Sequence, residues 1–299
     1  MKLATTTGDF SAYAATQEEC IAHIAKTDFR YLDYNFGMDY NRKIGIYGAD
    51  PKKHLESVLH TAEEKGMRFV QAHSPMGKPL AEDNDAFIED TVKCVYACKA
   101  LGIPNLVVHS GYLPGLSIEE TFARNKVFYR PLLSAAEECG VNILVENFNK
   151  MHVEGLYWID NAPDLLALIE YVDHPLFHAV WDVGHANMQE MPQDEALRLL
   201  GKHVYALHVQ DNLGNSDAHM APFFGSTSLD AVMHGLLDIG YDGYFTFESG
   251  NIFLPTGKKR PYDADQRLLR APLSLRLKAE QFLYEIGKCI LEAYDCYEQ

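Results

Sequence analysis

The chain has 299 residues, of which 47% are apolar, and this is enough for a large hydrophobic core. Its 26 basic and 42 acidic residues give a formal net charge of −16. Nucleic-acid binding depends on Lys and Arg contacts to phosphate, so this balance argues against a nucleic-acid partner. The stretch at residues 1–7 is too short and too polar for a signal peptide. No apolar stretch is long enough to cross a bilayer. We therefore expect a cytoplasmic protein with no membrane partner.

Short apolar or β-branched runs alternate with longer amphipathic stretches along the chain. The runs that we predict as strands lie at residues 2–6, 31–34, 69–73, 106–109, 142–146, 179–182, 204–209 and 244–248. The stretches between them predict helices, for example at 51–65, 83–101, 118–139 and 229–237. Several of these helices are followed by glycine, the residue that best tolerates the left-handed conformation of a helix C-cap.

Eight strands that alternate with helices predict a parallel sheet, and at this chain length they predict a closed barrel. We therefore predict an α/β protein with one (β/α)₈ TIM barrel, forming a single domain over residues 1–299. A last amphipathic stretch, from residue 274 to about residue 292, predicts an extra C-terminal helix. We expect this helix to pack outside the barrel or at a subunit contact.

Ionisable residues stand at the ends of six predicted strands. They are His73, His109, Glu146, Asp182, His208 and Glu248. The carboxyl ends of the strands meet at one rim of an α/β barrel, and active sites lie on that rim. Burying an unpaired charge costs several kcal/mol by a rough estimate, whereas a bound metal ion pairs with carboxylates and accepts imidazoles as ligands. The pattern therefore indicates a metal-binding active site.

Four of these side chains have the chemistry of a metal-ligand set: Glu146, Asp182, His208 and Glu248. Three carboxylates and one imidazole suit Mn²⁺, Mg²⁺ or Co²⁺, and Zn²⁺ stays open. The absence of thiolates argues against a closed structural zinc site. We expect one divalent metal ion, with Mn²⁺ placed before Mg²⁺, Co²⁺ and Zn²⁺.

Further polar residues lie close to this set in the sequence. His185 leaves the end of the sixth strand, and we expect it to face the site. Asp217 and His219 lie on the long loop after the seventh strand, which can fold over the site. Asp33 and Tyr34, at the end of the second strand, are candidates for the floor of the pocket.

Five short motifs follow one another along the chain: 107–111 (VVHSG), 144–147 (LVEN), 181–185 (WDVGH), 207–212 (LHVQDN) and 240–248 (GYDGYFTFE). In their order and spacing they resemble the xylose-isomerase-like barrels. That family includes sugar 3-epimerases, inosose dehydratases and isomerases, hydroxypyruvate isomerases and endonuclease IV. The resemblance covers most of the chain, and by analogy it supports a homo-oligomer, either a dimer or a tetramer.

The resemblance to the epimerase branch implies that the four-residue set ligates one metal ion. It also implies that Glu146 and Glu248 are the catalytic acid/base pair and that His185 contacts a substrate oxygen. A metal that chelates two neighbouring oxygens of a ketose polarises the carbonyl and stabilises the enediolate formed when the adjacent proton leaves. Our hypothesis is a divalent-metal-dependent isomerase or epimerase of a sugar or sugar derivative. Isomerisation, epimerisation and elimination all stay open.

Residues around the ligand set are predicted to contact a small carbohydrate substrate: His73, His109, His152, Trp158, Asp217 and His219. The loop that contains Trp158 offers aromatic faces that can stack on a sugar ring. Epimerases of free ketoses usually carry a second Glu where this chain has His152, and an Arg where it has residues 212–214. These departures make a bulkier or differently decorated sugar an alternative to a free ketose.

Three other functions stay open. Endonuclease IV binds three zinc ions, and all nine of its ligand types match here: His73, His109, Glu146, Asp182, His185, His208, Asp217, His219 and Glu248. The acidic balance, and the lack of Gly-Glu-Gly after His219, count against this multi-zinc phosphodiesterase. The catalytic subunits of C-glycoside deglycosidases also resemble this barrel, which makes a lyase with a small partner subunit an alternative. The third is a barrel that binds a sugar or a protein without catalysis.

Overall fold

The computed structural model describes residues 1–149, 159–253 and 271–299. Eight parallel strands lie within these ranges: β1 Lys2–Thr6, β2 Tyr31–Asn35, β3 Arg68–His73, β4 Asn105–Val108, β5 Asn142–Glu146, β6 Phe177–Asp182, β7 Val204–His208 and β8 Tyr244–Phe247. The α-helices in the same ranges are α1 Gln17–Ile24, α2 Phe36–Arg42, α3 Pro51–Glu64, α4 Asp85–Leu101, α5 Ile118–Cys139, α6 Ala162–Val172, α7 Val183–Asn187, α8 Gln193–Leu200, α9 Leu229–Asp238 and α10 Leu273–Ala293. Each predicted strand agrees with an observed one to within two residues.

The strands close into a barrel. Neighbouring strands pair in the order β7-β6-β5-β4-β3-β2-β1-β8. The remaining gap, between β7 and β8, is bridged by Val209, whose amide donates to the Thr246 carbonyl at 2.8 Å and whose carbonyl accepts from the Glu248 amide at 3.0 Å. The predicted (β/α)₈ TIM barrel is therefore confirmed. The single domain over residues 1–299 stays a prediction.

Side chains inside the barrel form layers beneath the carboxyl-terminal rim. Because side chains alternate across a strand, residues two positions apart share a face. Four interior residues make a small buried apolar cluster: Val107, Leu144, Val180 and Ala206. Each stands two positions before an ionisable residue of the rim, so this cluster lies directly below the site. A much larger apolar cluster packs the strands against the surrounding helices.

The predicted C-terminal helix is present as α10, which follows β8 and packs against β1 and α1. Gly287 allows this close approach. A Cβ atom at this position would lie 2.6 Å from a side-chain carbon of Leu3 and 2.7 Å from the ring of Phe247. Within the ranges that the structure describes, no helix is both long enough and apolar enough to span a membrane.

A buried ionic cluster fastens α10 to the rim. The Arg276 guanidinium donates to Asp9 at 2.7 Å, to Glu280 at 2.5 Å and to the Gly250 carbonyl at 2.8 Å. Glu280 also accepts a hydrogen bond from the Thr5 hydroxyl. Because Gly250 lies in the segment that follows β8, this cluster fixes the main chain just after one of the predicted metal ligands.

Candidate active site

Six ionisable residues meet at the carboxyl-terminal rim of the barrel. They are the last residues of β3, β5, β6 and β7 and the first residues after β4 and β8: His73, Glu146, Asp182, His208, His109 and Glu248. Two of them, Asp182 and His208, are fully buried. The other four line a cavity of about 250 Å³.

Four of these side chains point ligand atoms at one another. One such atom from each of Glu146, Asp182, His208 and Glu248 lies within 4.8 Å of the others. His208 Nδ1 is 2.9 Å from Glu146 Oε1 and 3.6 Å from Glu248 Oε2. Asp182 Oδ1 accepts a hydrogen bond from the His185 amide at 2.6 Å, whereas its Oδ2 is buried and has no hydrogen-bond partner among the described residues.

This arrangement fits the divalent metal ion that the sequence predicts. A buried carboxylate oxygen without a hydrogen-bond partner costs free energy, and a cation next to Asp182 Oδ2 would remove that cost. Burial also raises the pKa of Asp182 to about 7, against the opposing effect of His185. Three carboxylates and an imidazole are a suitable ligand set for Mn²⁺.

The two carboxylates of the predicted acid/base pair have different surroundings. Glu146 is buried, and its Oε2 lies 3.0 Å from His109 Nε2 and 3.5 Å from His73 Nε2. Burial acts to raise the pKa of Glu146, but His208 and these two rings hold it well below its ordinary value. The Glu248 side chain is 21% exposed and has fewer contacts to histidine rings. Glu248 is therefore the more accessible of the two from the cavity.

A second cluster of ligand-type side chains lies beside the first. Asp217 Oδ2 is 3.3 Å from His185 Nε2, and Asp217 Oδ1 is 3.2 Å from His219 Nε2. His185 Nδ1 donates to the Asn147 carbonyl at 2.9 Å, and His219 Nδ1 donates to the Glu248 carbonyl at 2.8 Å. Both rings therefore turn Nε2 toward Asp217. Burial acts to lower the pKa of His185, but the neighbouring carboxylates raise it to about 9.

The structure brings nine of the eleven predicted site residues together at this rim. The other two, His152 and Trp158, lie outside the described residues, and their roles stay predictions. Asp33, predicted for the pocket floor, lies inside the barrel with Oδ2 3.1 Å from His208 Nε2, and it is not among the described residues that line the cavity.

Tyr34 does not line the pocket, contrary to the sequence-based expectation. It is the residue after Asp33 on β2, so its side chain points to the opposite face of the strand. Its buried hydroxyl donates to Asp39 Oδ2 at 2.8 Å and lies 3.0 Å from His54 Nε2. The strand alternation thus separates two adjacent residues that the sequence grouped together.

Five residues that the sequence did not single out as part of the site also line the cavity: Asn35, Gly37, Ser74, Met76 and Phe148. The Phe148 ring lies between two site histidines, 5.2 Å from the His109 ring and 4.6 Å from the His185 ring between centroids. Its position directly after the LVEN motif was the available signal, because residues that follow the strand ends form the rim.

A family model described as xylose isomerase-like TIM barrel matches residues 21–271. The chain belongs to this family. An uncharacterized protein of Methanocaldococcus jannaschii is 31% identical over 153 residues, which cover 49% of this chain and 51% of that protein. The fructoselysine 3-epimerase of Escherichia coli O157:H7 is 29% identical over 147 residues, again 49% of this chain and 51% of the relative. The chain thus spans about half the length of the curated relatives it matches.

Among solved structures, the D-psicose 3-epimerase with D-tagatose from Clostridium cellulolyticum H10 superposes with a TM-score of 0.75 at 18% identity. The match covers 97% of this chain and 99% of that chain. At this identity the likeness shows the shared fold alone.

Proposed function

We propose that this protein is a divalent-metal-dependent isomerase or epimerase of a sugar or sugar derivative. The observation that carries the proposal is the convergence of Glu146, Asp182, His208 and Glu248 on one point, with Asp182 Oδ2 left without a hydrogen-bond partner in the described part of the chain. The Escherichia coli relative is named as an epimerase, of fructoselysine, which supports the same reaction class here. We place Mn²⁺ first among the candidate ions.

Different side chains of the site would transfer protons and hold the substrate. A bound divalent ion would polarise the substrate carbonyl and stabilise negative charge on its oxygen. Glu248 is the more accessible carboxylate and is suited to take a proton from the carbon next to that carbonyl. Glu146 comes from β5, three strands away, and would give a different proton, taken up from solvent, to the same carbon from the other side. His185 and the cluster around Asp217 would hold substrate oxygens by hydrogen bonds.

Phe148 gives the cavity an apolar face. Its ring stands against two site histidines and lines the cavity together with Met76. The C–H face of a sugar ring packs well on such a surface, while the hydroxyl groups face the histidines and carboxylates. This mixture of one apolar face and many hydrogen-bonding groups supports a carbohydrate substrate.

Exchange of carbon-bound hydrogen with solvent tests the proposed reaction. We expect the Mn²⁺-loaded protein in D₂O to convert at least one of D-psicose, D-tagatose and fructoselysine to a new sugar that carries deuterium at the reacting carbon. NMR of the sugar after removal of the protein and metal measures both changes. If the metal-loaded protein neither converts nor deuterates any of these sugars, the result contradicts the proposal.

A multi-zinc phosphodiesterase is the second candidate, and a specific observation favours it. Beyond the four-ligand set, ligand atoms also converge in two further groups, one of His73, Glu146 and His208 and one of His185, Asp217 and His219. Three clustered metal ions can activate water and stabilise a phosphate during hydrolysis. The net charge of −16 counts against a DNA substrate. The number and type of bound metal ions separate the two candidates.

A further inference from the structure

A chain of buried polar side chains crosses the barrel interior below the rim. The Thr246 hydroxyl lies 3.2 Å from Gln71 Oε1. Gln71 Nε2 lies 2.9 Å from Asp33 Oδ2, and this same oxygen lies 3.1 Å from His208 Nε2. All four side chains belong to buried residues. These hydrogen-bonded side chains thus connect β8, β3 and β2 to the predicted metal ligand at the end of β7.

The contacts of Gln71 fix the direction of its amide group. One end of the amide faces Asp33 Oδ2 at 2.9 Å and the Leu207 carbonyl at 3.4 Å. A carboxylate and a carbonyl can only accept hydrogen bonds, so this end must be the NH₂ group. The other end is then the oxygen, and it accepts from the Thr246 hydroxyl. Asp33 Oδ2 is thereby held by Gln71 as well as by His208.

Asp33 in turn decides which nitrogen of His208 carries hydrogen. An ionised carboxylate has no hydrogen to donate, so His208 Nε2 must be the donor in their 3.1 Å contact. The other nitrogen faces carboxylate oxygens too, so it also donates until a bound metal ion takes the place of its hydrogen. That nitrogen is Nδ1, which faces Glu146 Oε1 at 2.9 Å and Glu248 Oε2 at 3.6 Å. With a metal ion bound, Asp33 would therefore keep hydrogen on Nε2 and leave the Nδ1 lone pair to the ion.

Packing alone does not account for a carboxylate at this position. Asp33 Oδ1 is buried and has no hydrogen-bond partner within the described ranges. Leaving a buried acceptor in this state costs free energy, and an apolar residue would fill the same space without that cost. The interior of the barrel has buried apolar residues on β4 to β7. The charge at Asp33 is therefore explained by its contact with His208.

We propose that Asp33 is a positioning residue for the metal site. It holds His208 in one ring orientation with hydrogen on Nε2, so that Nδ1 is presented to the metal ion, and Gln71 and Thr246 hold Asp33. The inference rests on the proposed function, because it uses His208 as a metal ligand. Carboxylates behind metal-binding histidines act in this way in general, and losing one costs about 10- to 100-fold in metal affinity.

Calorimetric titration of Mn²⁺ into the metal-stripped full-length protein tests the inference. We expect Asp33→Leu, which cannot accept a hydrogen bond, to weaken Mn²⁺ binding by about 10- to 100-fold. Asp33→Asn should lose less, since its amide oxygen can still accept from His208. The matched control is Asp39→Asn. Asp39 is equally buried but contacts Gln17 and Tyr34, so this variant should keep the wild-type affinity.

NMR of ¹⁵N-histidine-labelled protein loaded with Mg²⁺ reports directly which nitrogen of His208 carries hydrogen. We expect His208 to carry hydrogen on Nε2 and none on Nδ1, and this hydrogen should exchange with water faster in Asp33→Leu than in the wild type. Hydrogen on Nδ1 in the loaded wild type would overturn the inference.

The Mn²⁺ affinities of the wild type and the Asp33 variants show whether this inference fails alone or together with the proposed function. A wild-type protein that binds no divalent ion overturns the proposed function, and the role of Asp33 with it. If the wild type and Asp33→Leu bind the ion with equal affinity, the proposed role of Asp33 is overturned and the proposed function is not. If Asp33→Leu does not fold, Asp33→Ala, which also cannot accept a hydrogen bond, decides in its place, and wild-type affinity in that variant overturns the inference.

Discussion

Replacing Glu248 by Gln is expected to leave the barrel folded and to lower kcat by about 10²- to 10⁴-fold, the usual contribution of a general acid or base. Gln has the same shape as Glu but cannot take up the substrate proton. The main-chain contacts of this residue do not depend on its side chain. Its amide donates to the Val209 carbonyl at 3.0 Å, and its carbonyl accepts from His219 Nδ1 at 2.8 Å.

The measurement is kcat at saturating Mn²⁺ on the sugar identified by deuterium exchange, because Glu248 is also a predicted ligand and the variant will bind the ion less tightly. Glu137→Gln is the matched control. Glu137 lies on α5, is 64% exposed and contacts His174 at 3.1 Å, so its replacement should not affect turnover. Near-normal kcat in Glu248→Gln would remove Glu248 from the acid/base pair.

Replacing Asp182 by Asn should weaken divalent-metal binding by more than about 100-fold, since losing a direct ligand exceeds the cost of losing a supporting residue. The side chain has two separable roles. Oδ1 accepts from the His185 amide at the start of α7, and an Asn oxygen can keep this contact. Oδ2 has no partner in the described chain, and Asn puts an NH₂ group there, which repels a cation.

Calorimetry on the stripped protein, compared with Asp39→Asn, measures this loss. Asp39→Asn removes a buried carboxylate that contacts Tyr34 and Gln17 and is not part of the predicted ligand set, and it controls for general effects of such a change. Unchanged affinity in Asp182→Asn would take Asp182 out of the ligand set. A loss of the same size in both variants would show that the effect is not specific to the site.

The position of the site could be predicted because it depends on local patterns. Strands and helices alternate with recognisable periods, and a closed parallel barrel brings all strand ends to one rim. The prediction that Glu146, Asp182 and His208 belong to the site therefore required no knowledge of long-range contacts, since each is the last residue of its strand. The same reasoning predicted that Asp217 and His219 belong to the site, because they lie on a long loop after β7.

The sequence could not predict which side chains orient the others. Asp33 and Tyr34 are adjacent and both polar, and only the registration of β2 in the barrel decides that Asp33 faces inward. Gln71 interrupts an apolar run on β3. The sequence shows that this residue is unusual but does not show which residue it contacts. Its contact with Thr246 joins residues 175 positions apart in the chain. Such pairings depend on strand stagger and side-chain rotamers, which local periodicity does not specify.

Elemental analysis of the protein, purified without added metal, decides whether one divalent metal ion occupies the site. We expect about one Mn, Co or Mg ion per chain, held by the four residues that converge on one point. Two or three zinc ions per chain would contradict it. Zinc in that amount would occupy the two further groups as well, and cleavage of abasic DNA and other phosphodiesters would become the activity to test.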